Sequence, residues 1–156
     1  MPVTVEQYAD LSNLILSTAM EPDRWQQVVD RLGTIMGPQG CTQLMGYDLQ
    51  TNAAPLAYAS GYDPEILRLY EQHYSRINPY ALNFDSMSVG KVVTVGELCR
   101  PETMKKTGFY ADLLRPLEDI IYGGGTLLFR DENRMFLFGG NMRAKDHENH
   151  EQRWLA

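Results

Sequence analysis

Tyr62–Pro79 reads YDPEILRLYEQHYSRINP. Asp63 can cap the free amides of a first helical turn, and Pro64 suits the first helical position. From there Ile66, Tyr70, His73, Tyr74 and Ile77 recur at steps of three and four, the period of one helix face. The residue before a proline avoids helical backbone angles, so the helix is expected to run from Asp63 to Ile77 and to break at Asn78-Pro79. The stripe is apolar but studded with tyrosines, each a flat apolar body with one hydroxyl at its rim. Such a stripe either lines a pocket for a small amphipathic ligand or packs in a core with its hydroxyls satisfied. Spacing alone favours the second.

Upstream, residues 5–19 form an amphipathic helix with Val5, Tyr8, Leu11, Leu14, Ile15 and Ala19 on one side. Pro22 opens a second helix with a Trp25, Val28, Val29, Leu32, Ile35, Met36 stripe, ended by Gly37. Cys41–Asp48 reads as a strand, LQTN (49–52) as a turn, and Leu56, Tyr58 and Ser60, alternating with Ala57 and Ala59, as a second strand. Downstream, GKVVTV (90–95) is a short strand. Residues 102–117 are helical in two pieces, broken near Gly108 and ended by Pro116.

The strongest hairpin follows, 120–130 and 134–140 around Asp131-Glu132-Asn133. Met135, Leu137 and Gly139 point one way, Phe136 and Phe138 the other. A last helix begins near Asp146 and, reaching only Trp154-Leu155-Ala156, looks cut off. The order αα-ββ-α-β-α-ββ-α predicts an α+β fold, an antiparallel sheet with helices on its faces, as one domain over 1–156.

Bulk properties narrow the function classes. The 156 residues carry a net charge of −6, which argues against a free-standing nucleic-acid binder. The N-terminus lacks the basic start and apolar run of a signal peptide, and no apolar stretch approaches membrane-spanning length. A cytoplasmic location is expected, with Cys41 and Cys99 as reduced, partly buried thiols. Nucleophile-elbow, zincin and Cys-x-x-Cys patterns are absent from the sequence, so an enzyme is not expected.

Gly123-Gly124-Gly125 lies inside a strand, where it marks a bulge or a close backbone approach, making room for either a ligand or a packed helix. His147 and His150, spaced i, i+3 among acidic residues, read as a solvated helix face rather than a metal site, and His73 as a buried, hydrogen-bonded histidine rather than a haem ligand. Glu118 and Asp119 read as solvated carboxylates near a turn. No metal or cofactor is expected.

The same stretch resembles the ligand-contacting region of the N-terminal, autoinducer-binding-type domains of LuxR-family transcriptional regulators. There the pattern is Tyr-x3-Trp-x3-Tyr followed by Asp-Pro. Tyr62, Ile66 and Tyr70 keep the spacing, and Asn78-Pro79 takes the Asp-Pro place one residue early. FYADLLRP (109–116) is similar to related sensors that carry no lactone motif.

The resemblance implies a PAS/GAF-like α-β-α sandwich acting as a ligand-sensing domain and forming a homodimer. DNA would be contacted only through a separate helix-turn-helix domain not in this chain. It places a pocket between the sheet and the tyrosine helix. Candidate lining residues are the tyrosines Tyr47, Tyr58, Tyr62, Tyr70, Tyr74 and Tyr122, together with Ile66, Asn78, Thr126 and Phe138. In acyl-homoserine-lactone sensors the tryptophan and the aspartate hold the lactone carbonyl and the amide N–H. Ile66 and Asn78 replace them here, which implies a different, neutral amphipathic ligand. The competing expectation is a dimerisation module of the same fold with a filled core.

Overall fold

The computed structural model describes residues 3–36, 40–51 and 53–147. Helices α1 (Val5–Ser17) and α2 (Trp25–Met36) lead into strands β1 (Cys41–Asp48) and β2 (Ala53–Ser60). Helix α3 (Pro64–Gln72) follows, then 3₁₀ turns over Tyr74–Ile77 and Ala81–Ser86. Strand β3 (Val92–Thr94) runs into the single turns α4 (Val95–Leu98) and α5 (Pro101–Met104) and a π-turn over Tyr110–Leu114. Strands β4 (Tyr122–Arg130) and β5 (Arg134–Met142) form the hairpin, and α6 (Ala144–His147) closes the described chain.

The five strands make one antiparallel sheet in the order β2-β1-β5-β4-β3. Residues opposite one another in an antiparallel ladder share a face. Gln43 pairs with Gly139, Met45 with Leu137 and Tyr47 with Met135, which defines one face. Leu44 pairs with both Tyr58 and Phe138, and Phe138 with Thr126, which defines the other.

The first face carries the main core. Tyr47, Leu127, Met135 and Leu137 pack with Phe84, Met104, Phe109, Leu113, Leu114 and Ile120 from the connections that cross it. The second face is covered by α2 through Val28 and Val29, with Thr42 donating its hydroxyl to the Val29 carbonyl at 2.8 Å. The fold is thus α+β, a sheet with helical layers on both faces, as the element order predicts. Among the described residues no helix is long and apolar enough to cross a membrane.

Several local expectations are corrected. Helix α1 has a capping box between Thr4 and Gln7 but buries none of its residues; it lies against α2 and the Pro22–Arg24 turn, and Val5 and Tyr8 are exposed. Pro22 opens a 3₁₀ turn, not α2 itself. The tyrosine helix stops at Gln72. His73 leaves helical geometry (φ −135°, ψ −54°), and the chain resumes as a 3₁₀ turn up to Asn78. That break rotates the stripe, so His73 and Ile77 are exposed while Ile66, Tyr70 and Tyr74 stay packed on the core. His73 is therefore not buried; its ring meets Tyr74 edge-on.

The helical stretch after Pro101 breaks at 105–107 rather than at Gly108. Glu118 and Asp119 are not a free solvated pair. Both sit at positive φ (61° and 58°), with Glu118 ion-paired to Arg143 and Lys145 and Asp119 accepting from the Tyr110 hydroxyl at 2.5 Å. These two bonds hold the Glu118 carboxyl below its usual range. Ile120 and Ile121 precede β4 as buried irregular backbone. Gly37, Asn52, His150 and the helix expected up to Ala156 lie outside the described residues.

Leu127, at the centre of β4, is 0% exposed. Leu127→Ala is expected to cost about 2–5 kcal/mol in a urea melt with unchanged slope, the range for truncating a close-packed core leucine. A loss well under about 1 kcal/mol would contradict close packing on this face.

Candidate ligand-binding site

Between the first sheet face and the α3 layer lies a cavity of about 130 Å³. Its floor is β1 (Gln43, Met45), β5 (Leu137–Asn141) and the glycines Gly124 and Gly125 of β4. Tyr62, Ile66, Leu67, Tyr70 and Glu71 form one wall, with Glu71 exposed at the mouth. Asn78, Tyr80, Phe84 and Met87 form another, and Leu98, Phe109, Leu113, Leu114, Leu117 and Ile120 close the roof. No cationic side chain lines it.

Asn78 sets the polar geometry. The Asn78–Pro79 step forces extended backbone (φ −66°, ψ 113°), which turns the carboxamide inward, where it is 7% exposed. Its Oδ1 accepts the Tyr80 backbone N–H at 3.0 Å. A backbone N–H only donates, so this bond fixes which end of the amide is oxygen. The amide nitrogen must then donate to the Tyr70 hydroxyl, at 3.0 Å. Tyr70 is left with a proton to give and no acceptor among the described residues. Asn141 donates to the Tyr62 hydroxyl at 2.7 Å in the same way. The hydroxyl of Tyr80, a residue 9% exposed, has no partner among the described residues.

Burial raises the ionisation of all three phenols, Tyr70 to about 12, so each is a neutral donor across the physiological range. Burial likewise raises the Cys41 thiol, which donates to the Gly61 carbonyl at 3.3 Å. Cys41 and Cys99 are both half-buried free thiols.

Of the expected lining residues, Tyr62, Ile66, Tyr70 and Asn78 meet around the cavity. Phe138 borders it, but its pairing with Leu44 and Thr126 turns its ring to the other face. Tyr58 and Thr126 share that other face and do not line the cavity. Tyr47 and Tyr74 belong to the core beside it. Tyr47 donates to the Ser75 carbonyl at 3.2 Å and meets Phe84 edge-on, and Tyr74 meets Phe109 edge-on. Tyr122 stacks on His147 with ring centroids 3.7 Å apart, away from the cavity. His147 is thus half-buried, not on a solvated face. Among the described residues no group of three His, Cys, Asp or Glu side chains could hold a metal ion.

Gln43, Tyr80 and Asn141 are not among the expected lining residues. Gln43 is the one signal visible beforehand: it is a polar residue in the inward row Cys41, Gln43, Met45, Tyr47. The triple glycine is explained by close approach. Gly123 sits at φ 132°, and a Cβ on Gly124 or Gly125 would lie 2.8 Å from the Val93 carbonyl or 2.7 Å from that of Phe138.

A comparison of the sequence with protein-family models finds no match, and a comparison with curated proteins finds none either.

Asn78 serves the fold as well as the cavity, and the two roles separate by mutation. Asn78→Ala strands the buried Tyr80 N–H and is expected to cost about 1–3 kcal/mol in urea melts. Tyr70→Phe leaves only an amide nitrogen facing the cavity and should cost less than half as much. Equal losses would contradict this division. Because the Tyr70 phenol ionises near 12 in the fold and near 10 when unfolded, its contribution to stability is whole below pH 10. It is lost as pH rises from 10 towards 12. A melt series over that interval should show the fall reduced in Tyr70→Phe.

Proposed function

We propose that this chain is the ligand-sensing domain of a LuxR-type transcriptional regulator, binding a small, neutral, amphipathic molecule between the sheet and the α3 layer. The observation that carries this reading is the cavity itself. Side chains leave about 130 Å³ open beside Tyr70, Ile66 and Asn78, the last two being the positions where the family resemblance puts the ligand contacts. A largely apolar pocket with a few hydrogen-bond donors and no cation suits a neutral occupant. Occupancy would stabilise the domain and shift how it presents its outer surfaces. In this reading the domain works as a homodimer in the cytoplasm, catalyses nothing, and reaches DNA through a separate helix-turn-helix domain.

One observation favours the interaction-module reading in part: α1 carries Val5 at 86% and Leu16 at 72% exposure. A filled core, which that reading requires, is at odds with the open space beside Tyr70.

Native mass spectrometry of the protein purified from cells tests the proposal. A retained neutral small molecule, lost on denaturation, is the expected result. Its absence, together with no thermal shift across a panel of neutral amphipathic compounds, would overturn it.

Common acyl-homoserine lactones are expected to bind poorly. Ile66 offers no N–H donor, and the Asn78 oxygen is already committed to Tyr80. Each missing partner costs about 1–3 kcal/mol. A thermal-shift panel over chain length should therefore show no rise at micromolar lactone, and a rise of many degrees would show the substitutions to be compensated.

A further inference from the structure

Gly139 is a floor glycine that the backbone does not demand. Its φ lies outside the left-handed region, and a Cβ there would meet Gln43 Nε2 and the Gly124 carbonyl at 3.6 Å, ordinary contact distances. Its neighbours across the ladder, Gly123 to Gly125, are all held by backbone collisions. Gly139 pairs with Gln43 and so faces the cavity. Without a side chain, Gly139 leaves a bare patch of peptide on the cavity floor beside Gln43. At about 130 Å³ the cavity is close to the ~150 Å³ of an apolar cavity that takes up benzene. It holds a single ring and is too small for a long acyl chain.

The polar groups add direction. The Tyr70 hydroxyl accepts from Asn78 and must donate elsewhere, and the hydroxyl of Tyr80, another lining residue, has no partner among the described residues. Tyr62, Tyr70 and Tyr80 all line this one cavity. A side chain with only a proton to offer is completed by an acceptor.

We propose, resting on the ligand-sensing reading, that the cavity takes a planar, neutral, single-ring compound bearing a carbonyl-type acceptor, its ring over Gly139 and its oxygen at the Tyr70 and Tyr80 hydroxyls. Anionic rings are refused because nothing cationic lines the walls. A long acyl chain exceeds the cavity volume.

Three probes of similar bulk test this: acetophenone (ring and carbonyl), cumene (ring without acceptor) and benzoate (anionic ring). Binding is read by calorimetry and by ligand-observed NMR on the intact chain. Acetophenone should bind about 2- to 10-fold tighter than cumene, the effect of one net hydrogen bond, and benzoate not measurably. In Tyr70→Phe/Tyr80→Phe the ratio should fall to about 1. Gly139→Val should abolish both, and Gly139→Ala, a smaller intrusion, should weaken both while preserving the melt.

Equal affinity for acetophenone and cumene, or a preference that survives the tyrosine changes, overturns the acceptor assignment while leaving the site intact. Binding indifferent to Gly139→Ala and Gly139→Val overturns the ring placement. If no probe binds although a molecule co-purifies with the chain, this ligand class is wrong and the sensing reading stands. If neither occurs, both fall.

Discussion

One carboxamide holds the helix-side wall of this fold in register with its cavity. Asn78 stands where the chain must leave helical geometry ahead of Pro79, and its two ends are spent on different tasks. The oxygen ties down the Tyr80 amide, and the nitrogen holds the Tyr70 hydroxyl. Tyr80, Phe84 and Met87 follow directly and supply one wall, while Tyr70 belongs to the other. An aspartate there could accept the Tyr80 N–H but could not also donate to Tyr70. The asparagine therefore converts Tyr70 into a donor towards the cavity, and the character of the site follows from that.

The sheet divides the labour between its faces. On the α2 side close approach dominates: Gly33 sits where a Cβ would lie 3.2 Å from the Thr42 hydroxyl oxygen, and the Thr42 hydroxyl reaches the Val29 carbonyl. That face is structural. On the opposite face the layer is built from short turns, a π-turn and two successive residues at positive φ rather than one long helix. Irregular backbone of this kind costs roughly 1–3 kcal/mol per strained residue and persists where surrounding bonds over-determine it. Glu118 and Asp119 have such bonds, to Arg143, Lys145, Tyr110 and the Ala144 amide. Leu117 and Ile120 on either side of them line the cavity, so this clasp joins the roof to the start of α6.

Much of the architecture was legible in the residues. The alternation of β1, the hairpin around Asp131–Asn133 and the Asp63-Pro64 helix start all encode local geometry, and each forms where its pattern lies. Five of the ten expected lining residues, Tyr62, Ile66, Tyr70, Asn78 and Phe138, border the cavity; Ile66 and Tyr70 share one face of α3, and Tyr62 and Asn78 flank it on either side. The misses have two physical causes. Tyr58 and Thr126 fit a pocket by residue type, but cross-strand register puts them on the face of Leu44, and register is a long-range property. His73 was placed by continuing a helix that ends one residue earlier, which shifts everything after it around the axis. The roof from Phe109 to Ile120 is folded as a π-turn and an αL pair, for which no periodic signal exists.

The central claim is that a real, largely apolar cavity lies between Gly139 and the Leu114 side of the roof. Diffraction from crystals of the protein pressurised with xenon tests it most directly, since dry apolar cavities of this size take up the gas. The account predicts ordered xenon bordered by Gly139, Leu113, Leu114 and Ile66, with side chains otherwise unmoved. A cavity closed by collapse of those side chains, with no xenon bound there, would contradict it.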